Sequence, residues 1–198
     1  MIPFILASSS PRRQDLLQQV DFSFEVISKD TTEEVTENLQ PSELVIHLAE
    51  RKAKAVFAEH QHRVVLGADT IVALDNTILG KPKSRADAFK MLRMLSGQSH
   101  FVYTGVAILS AERTAIFYEK TEVQMYALSE ADIETYLESG ESIGKAGAYA
   151  IQGYGAYLVK GIHGDYQNVV GLPVAAVTRS LESFAIYPQW KKINHWKE

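Results

Sequence analysis

The sequence contains no cysteine. That absence excludes disulfide scaffolds, thiolate zinc sites and thiol nucleophiles, and it agrees with a reducing, cytoplasmic setting. Long apolar runs are also missing: none approaches the roughly 20 residues that a membrane-spanning helix needs. The apolar start, Met1 to Ala7, is short and lacks a basic flank, so it reads as a first buried strand rather than a secretion signal. Positive charge is not in excess. A net charge of −4 argues against a general nucleic-acid binder, though not against a local basic patch for a small anion. The six histidines form no His-x-x-x-His pair, so no histidine zinc site is expected. Neither Gly-x-x-x-x-Gly-Lys-[Ser/Thr] nor Gly-x-Gly-x-x-Gly occurs, which excludes a P-loop phosphotransferase and a dinucleotide fingerprint.

What is present suits a packed core. The 198 residues are 46% apolar, enough for one domain or two closely joined lobes. Residues 3–7 read as a strand, followed by a Ser-rich turn and a helix from Pro11 to about Val20, capped by Ser10. Residues 22–27 alternate as a second strand, and residues 28–40 read as a polar loop. A longer helix starts at Pro41, with Leu44, Val45, Leu48, Ala49, Lys52 and Val56 at helical spacing. Residues 64–68 read as a central strand ending at Asp69, and Asp75-Asn76 as a hairpin turn. Ser84 caps a further helix that ends before Gly97, and residues 101–128 read as two or three long antiparallel strands. A helix capped by Ser129 stops at Gly140. Residues 144–155 read as loop, 156–162 as strand, 163–165 as turn and 173–184 as a last helix. The interspersed order predicts α/β with a mixed sheet. Residues 187–198 read as a C-terminal extension of a domain spanning residues 1–186.

Five stretches could carry chemistry. Ser8-Ser9-Ser10-Pro11-Arg12-Arg13 puts hydroxyls and unpaired backbone N–H groups at a helix start, an anion site. Two arginines there oppose the helix dipole by about 0.3–1 kcal/mol each, a cost that a bound phosphate would reverse. An ordinary capped surface helix is the alternative. Asp69, in Gly67-Ala68-Asp69-Thr70, lies at a strand end where α/β folds present ligands, and can bind Mg²⁺ or orient a water; a turn-anchoring Asp is the alternative. Gly80-Lys81-Pro82-Lys83, with Lys52 and Lys54, could neutralise a triphosphate or simply face water; Lys52 falls on the apolar stripe of its helix. Residues 145–155 allow close backbone approach, and Gln152 offers a donor and an acceptor together; a loop with a solvated amide is the alternative. Asp30, Glu33 and Glu34 could join Asp69 around a metal, and spacing does not choose among them.

These blocks resemble the Maf family. The resemblance is carried by Ala7 to Arg13, Gly67 to Thr70, Gly80 to Pro82, Leu95 to Gly97, Ala146 to Gly153 and Gly164 to Pro173, in that order along nearly the whole chain. It implies a two-lobed mixed α/β fold, Maf-like and ITPase-like, with a central cleft, and a metal-dependent nucleoside-triphosphate pyrophosphatase. The Ile-Gln-Gly form at Ile151 to Gly153 resembles the branch acting on dTTP and UTP; the branch acting on 7-methyl-GTP has Glu at that position. By the same resemblance, Asp69 is the catalytic acid and Arg12, Thr70 and Gln152 set substrate choice. Ser8, Arg13, Lys52 and Lys81 bind phosphate, and Glu33 joins Asp69 on Mg²⁺ or Mn²⁺. Gly144 departs from the family, which often has Asp there. The expected partners are the nucleotide and, in a homodimer, a second copy of the chain, with no nucleic acid and no membrane. Two competing expectations are a non-catalytic nucleotide-binding regulator of septum formation and the same hydrolysis on modified nucleotides.

Overall fold

In the computed structural model, residues 4–32, 39–75 and 77–192 are described. The apolar run near the start forms β1 (Phe4–Leu6), and the loop after it leads into α1 (Pro11–Gln19). Pro11 sits at the first helical position, where a missing N–H costs nothing. Ser10 has the extended backbone of an N-cap, yet its side chain caps no N–H group, contrary to the sequence expectation. Next come β2 (Phe24–Val26), α2 (Pro41–Phe57), β3 (Val65–Leu74), β4 (Thr77–Leu79) and α3 (Arg85–Leu95). The long hairpin of β5 (Ser99–Leu109) and β6 (Thr114–Met125) follows, then α4 (Glu130–Glu138), β7 (Val159–His163), α5 (Tyr166–Val170) and α6 (Val174–Glu182).

The strands form one seven-stranded mixed sheet in the order β2-β1-β3-β5-β6-β7, with β4 also beside β3. The β1 pairings are parallel and the rest antiparallel. Several elements differ from the sequence reading. β3 does not end at Asp69 but runs on to Leu74, so Asp69 lies in mid-strand. Residues 144–155 are not plain loop: 3₁₀ turns occupy Ala146–Ala148 and Gly153–Leu158. The last strand starts at Val159 rather than 156, and α5 was not foreseen. Asp75 adopts a left-handed φ of 51°, as a tight hairpin requires, while Asn76 lies outside the described residues.

Strand alternation divides the core. On one face, Leu66 and Ala68 of β3 pack with Leu16 and Leu17 of α1 and Val174, Val177 and Leu181 of α6. Further along that face, Val72 packs with Leu92 and Leu95 of α3 and Ile133 and Tyr136 of α4. The same strands therefore serve two apolar clusters, with Thr70 and Thr104 between them. The opposite face is covered by α2, whose Ala49, Ala53 and Val56 meet Val65 and Ala107. Glycine lets that helix come close. A Cβ on Gly67 would lie 2.5 Å from the Ala49 carbonyl oxygen, and one on Gly105 would lie 2.2 Å from that of Val45.

Candidate active site

A gap in the sheet creates the site. On one side β3 is paired continuously with β5 from Val65 to Ala73. On the other, β1 pairs only with Val65 and Leu66, and β4 only from Val72 onward. Among the described residues, no strand borders residues 67–71 there. Both faces of β3 open through this gap into one cleft of about 670 Å³. It is bounded by the Ser-rich loop after β1, by Gly80 and Lys81 after β4, and by residues 144–152.

Asp69 points to the α2 face. It is 7% exposed, and one carboxylate oxygen (Oδ1) takes a hydrogen bond from the Lys52 ammonium. The glycine seat under α2 is what brings Lys52 down to it. Oδ2 makes no hydrogen bond among the described residues. Its neighbour Thr70 points to the other face. There the Thr70 hydroxyl accepts from Arg13 Nη2 at 3.0 Å and lies 2.9 Å from Thr104 Oγ1, whose own proton goes to the Asn168 carbonyl at 3.2 Å. Arg13 is 8% exposed and also donates to Ser8 Oγ at 2.9 Å and to the Gly171 carbonyl at 2.9 Å. Arg13 thus ties the loop after β1, mid-β3 and the α5–α6 connection together, and Ser8 and Thr70 are the anchors it holds.

Arg12, one residue earlier, has the opposite surroundings. Its guanidinium is half-buried at the head of α1 and makes no hydrogen bond or ion pair among the described residues. Burial pulls its pKa below the ordinary arginine value, opposed in part by Tyr136. The uncapped first turn of α1 adds backbone N–H groups aimed the same way. Lys145 faces Arg12 and is also lowered, first by burial and then by Arg12, with Glu141 opposing. Two partly buried cations side by side, with Glu141 acting on Lys145, make a seat for a multiply charged anion.

The cleft collects Ser8, Arg12, Arg13, Lys52, Asp69, Thr70, Lys81 and Gln152. Of the other candidates, Asp30 lines it, whereas Lys54 pairs with Glu50 at 2.7 Å on the outer side of α2. Glu33 and Glu34 lie outside the described residues. Gly144 lines the cleft with a φ of +69°, so this part of the wall carries no carboxylate. Lys145 was missed as a site residue. The sequence signal was its position at the head of the Ala146–Gly153 block, but nothing local shows that it meets Arg12. Among the described residues, six basic side chains line the cleft against two acidic ones, whereas the chain as a whole is acidic. The described residues contain no group of three or more His, Cys, Asp or Glu placed to hold a metal, and no helix long and apolar enough to cross a membrane.

Comparison with known proteins gives a consistent result. The profile of the family described as Maf-like protein matches residues 3–184. A dTTP/UTP pyrophosphatase of Bacillus mycoides (strain KBAB4) is 50% identical over 184 residues, covering 93% of this chain and 96% of that protein. The dTTP/UTP pyrophosphatase of Bacillus cytotoxicus matches with the same identity and coverage. That of Bacillus pumilus (strain SAFR-032) is 48% identical over 188 residues, covering 95% of this chain and all of the relative.

Proposed function

The chain belongs to the Maf-like protein family, and from that premise we propose that it is a nucleoside-triphosphate pyrophosphatase that converts dTTP and UTP to the monophosphate and pyrophosphate. The observation that carries the reading is Arg12. A half-buried guanidinium with no hydrogen bond or ion pair among the described residues, at an uncapped helix head, calls for a phosphate chain.

The triphosphate lies across the head of α1, with Arg12, Lys81 and Lys145 on its β- and γ-phosphates. The α-phosphorus sits above Asp69. Oδ2 of Asp69 orients a water and takes its proton as the water attacks, while Lys52 fixes the carboxylate from behind. Pyrophosphate is the leaving group, and the cations that held it stabilise its charge. Gln152 presents its amide to the O4/N3–H edge of uracil or thymine. Magnesium takes oxygen ligands, usually one or two carboxylates plus phosphates and waters. Asp69 fits that role, with one oxygen on Lys52 and the other without a hydrogen bond among the described residues. Asp69, with Glu33 as second carboxylate, would hold a Mg²⁺ or Mn²⁺ ion, which when bound neutralises phosphate charge and polarises the P–O bonds.

Asp69→Asn tests the proposal. The amide keeps an acceptor for Lys52 but cannot take a proton. Pyrophosphate release should fall at least about 100-fold, with the thermal unfolding midpoint little changed. Wild-type turnover in this variant would sink the mechanism.

A further inference from the structure

Gln152 stands between two fixed points of backbone. Before it, the Tyr149 hydroxyl lies 2.7 Å from Nε2 of the buried His100, and the Ala150 N–H donates to the Tyr136 hydroxyl at 3.1 Å. After it, the carboxylate of Glu141 accepts from two successive N–H groups, that of Tyr154 on Oε1 and that of Gly155 on Oε2, each at 3.1 Å. Gly153 completes the clamp. Its φ is +62°, and a Cβ there would lie 2.2 Å from Glu141 Oε1, so the carboxylate fills the space a side chain would need. The Gln152 side chain itself is exposed to the cleft and makes no hydrogen bond among the described residues. The backbone is tied down on both sides while the amide is left open.

We propose that Glu141 is a positioning residue for base choice: by clamping the turn after Gln152 it fixes the point from which the Gln152 amide reaches the pyrimidine, and so narrows the orientations open to the amide against the base. The inference rests on the reading of Gln152 as the residue that meets the base. Uracil and thymine present an acceptor, O4, beside a donor, N3–H. Cytosine presents the reverse, a donor amino group beside the acceptor N3. A primary amide carries one donor side and one acceptor side, and turned over it reads either pattern equally well. It separates uracil from cytosine only if its place against the base is held. A turn fixed by two charge-assisted hydrogen bonds supplies that hold from a residue that does not touch the nucleotide. An ordinary capping role for Glu141 would stabilise the turn without affecting which base is preferred.

The test is steady-state kinetics on UTP and CTP for wild type, Gln152→Ala, Glu141→Ala and Glu141→Gln, with thermal midpoints recorded alongside. Glu141→Ala should lower the UTP-to-CTP ratio of kcat/KM roughly fivefold to tenfold, mainly through KM for UTP. Glu141→Gln, whose amide oxygen can still accept one of the two N–H groups, should recover most of the ratio. Should the alanine variant not fold, Glu141→Asp, too short to reach both N–H groups, should shift the ratio in the same direction. A ratio within twofold of wild type in Glu141→Ala, while Gln152→Ala collapses it, overturns this inference alone. A ratio untouched by Gln152→Ala overturns the reading of Gln152, and this inference with it.

Discussion

Adjacent residues in this cleft have different duties because secondary structure sends them to different places. Arg12 and Arg13 follow one another on α1, yet Arg13 is locked to Ser8, Thr70 and Gly171 while Arg12 lines the cleft with no hydrogen bond or ion pair among the described residues. The sequence showed two arginines at a helix start and could not tell them apart, since Arg13's partners Thr70 and Gly171 lie 57 and 158 residues away. His100 was equally silent. It is fully buried, bonded to Tyr149 through Nε2 and left without a partner at Nδ1. Burial pushes its pKa down from 6.5 to about 4. The unfolded chain takes up the proton below about pH 6.5, but the folded protein only below about 4, so the fold is destabilised as pH falls through that window. The loss reaches roughly 3 kcal/mol and adds nothing above pH 6.5. Urea unfolding at pH 7 and pH 4.5 should show a steeper loss in wild type than in His100→Gln. Equal losses in the two proteins would contradict this.

At the scale of elements, the glycines do what the motif reading did not foresee. Gly67 stood out only as the start of the block containing Asp69, and Gly105 did not stand out at all. Together they form the seat on which α2 approaches the sheet, and that approach is what places Lys52 on Asp69. Gly105→Ala would drive a Cβ to 2.2 Å from the Val45 carbonyl, where backbone must move. Overpacking of this kind costs about 1–3 kcal/mol, and here it should also lower turnover by lifting Lys52 from Asp69. A stability by urea unfolding within about 0.5 kcal/mol of wild type would refute the seat. The helices α2, α3 and α4 and the long β5–β6 hairpin were legible because their periodicity and caps are local. The run of β3 beyond Asp69 was not, because a charged residue in a buried run reads as an end. Only the edge left open between β1 and β4 makes room for a carboxylate in mid-strand. The five-residue α5 and the 3₁₀ turns after Gly144 are too short to leave a period in the sequence.

For the whole molecule, the account turns on one arrangement: two apolar clusters share β3 and β5, and a polar, basic cleft lies where they part. Among the described residues, an acidic chain thus concentrates cations at one place. The mixed sheet was readable from the interspersed order of strands and helices, whereas a common cleft for the separate blocks was implied only by the family resemblance. The sharing of strands between two apolar clusters was not legible, because it depends on pairings between distant segments. The most direct measurement is pyrophosphate release from dTTP, UTP, CTP, GTP and 7-methyl-GTP, with Mg²⁺ and then with EDTA. Release confined largely to dTTP and UTP, and lost on chelation, is the predicted result. Nucleotide binding without any release of pyrophosphate would contradict the central claim.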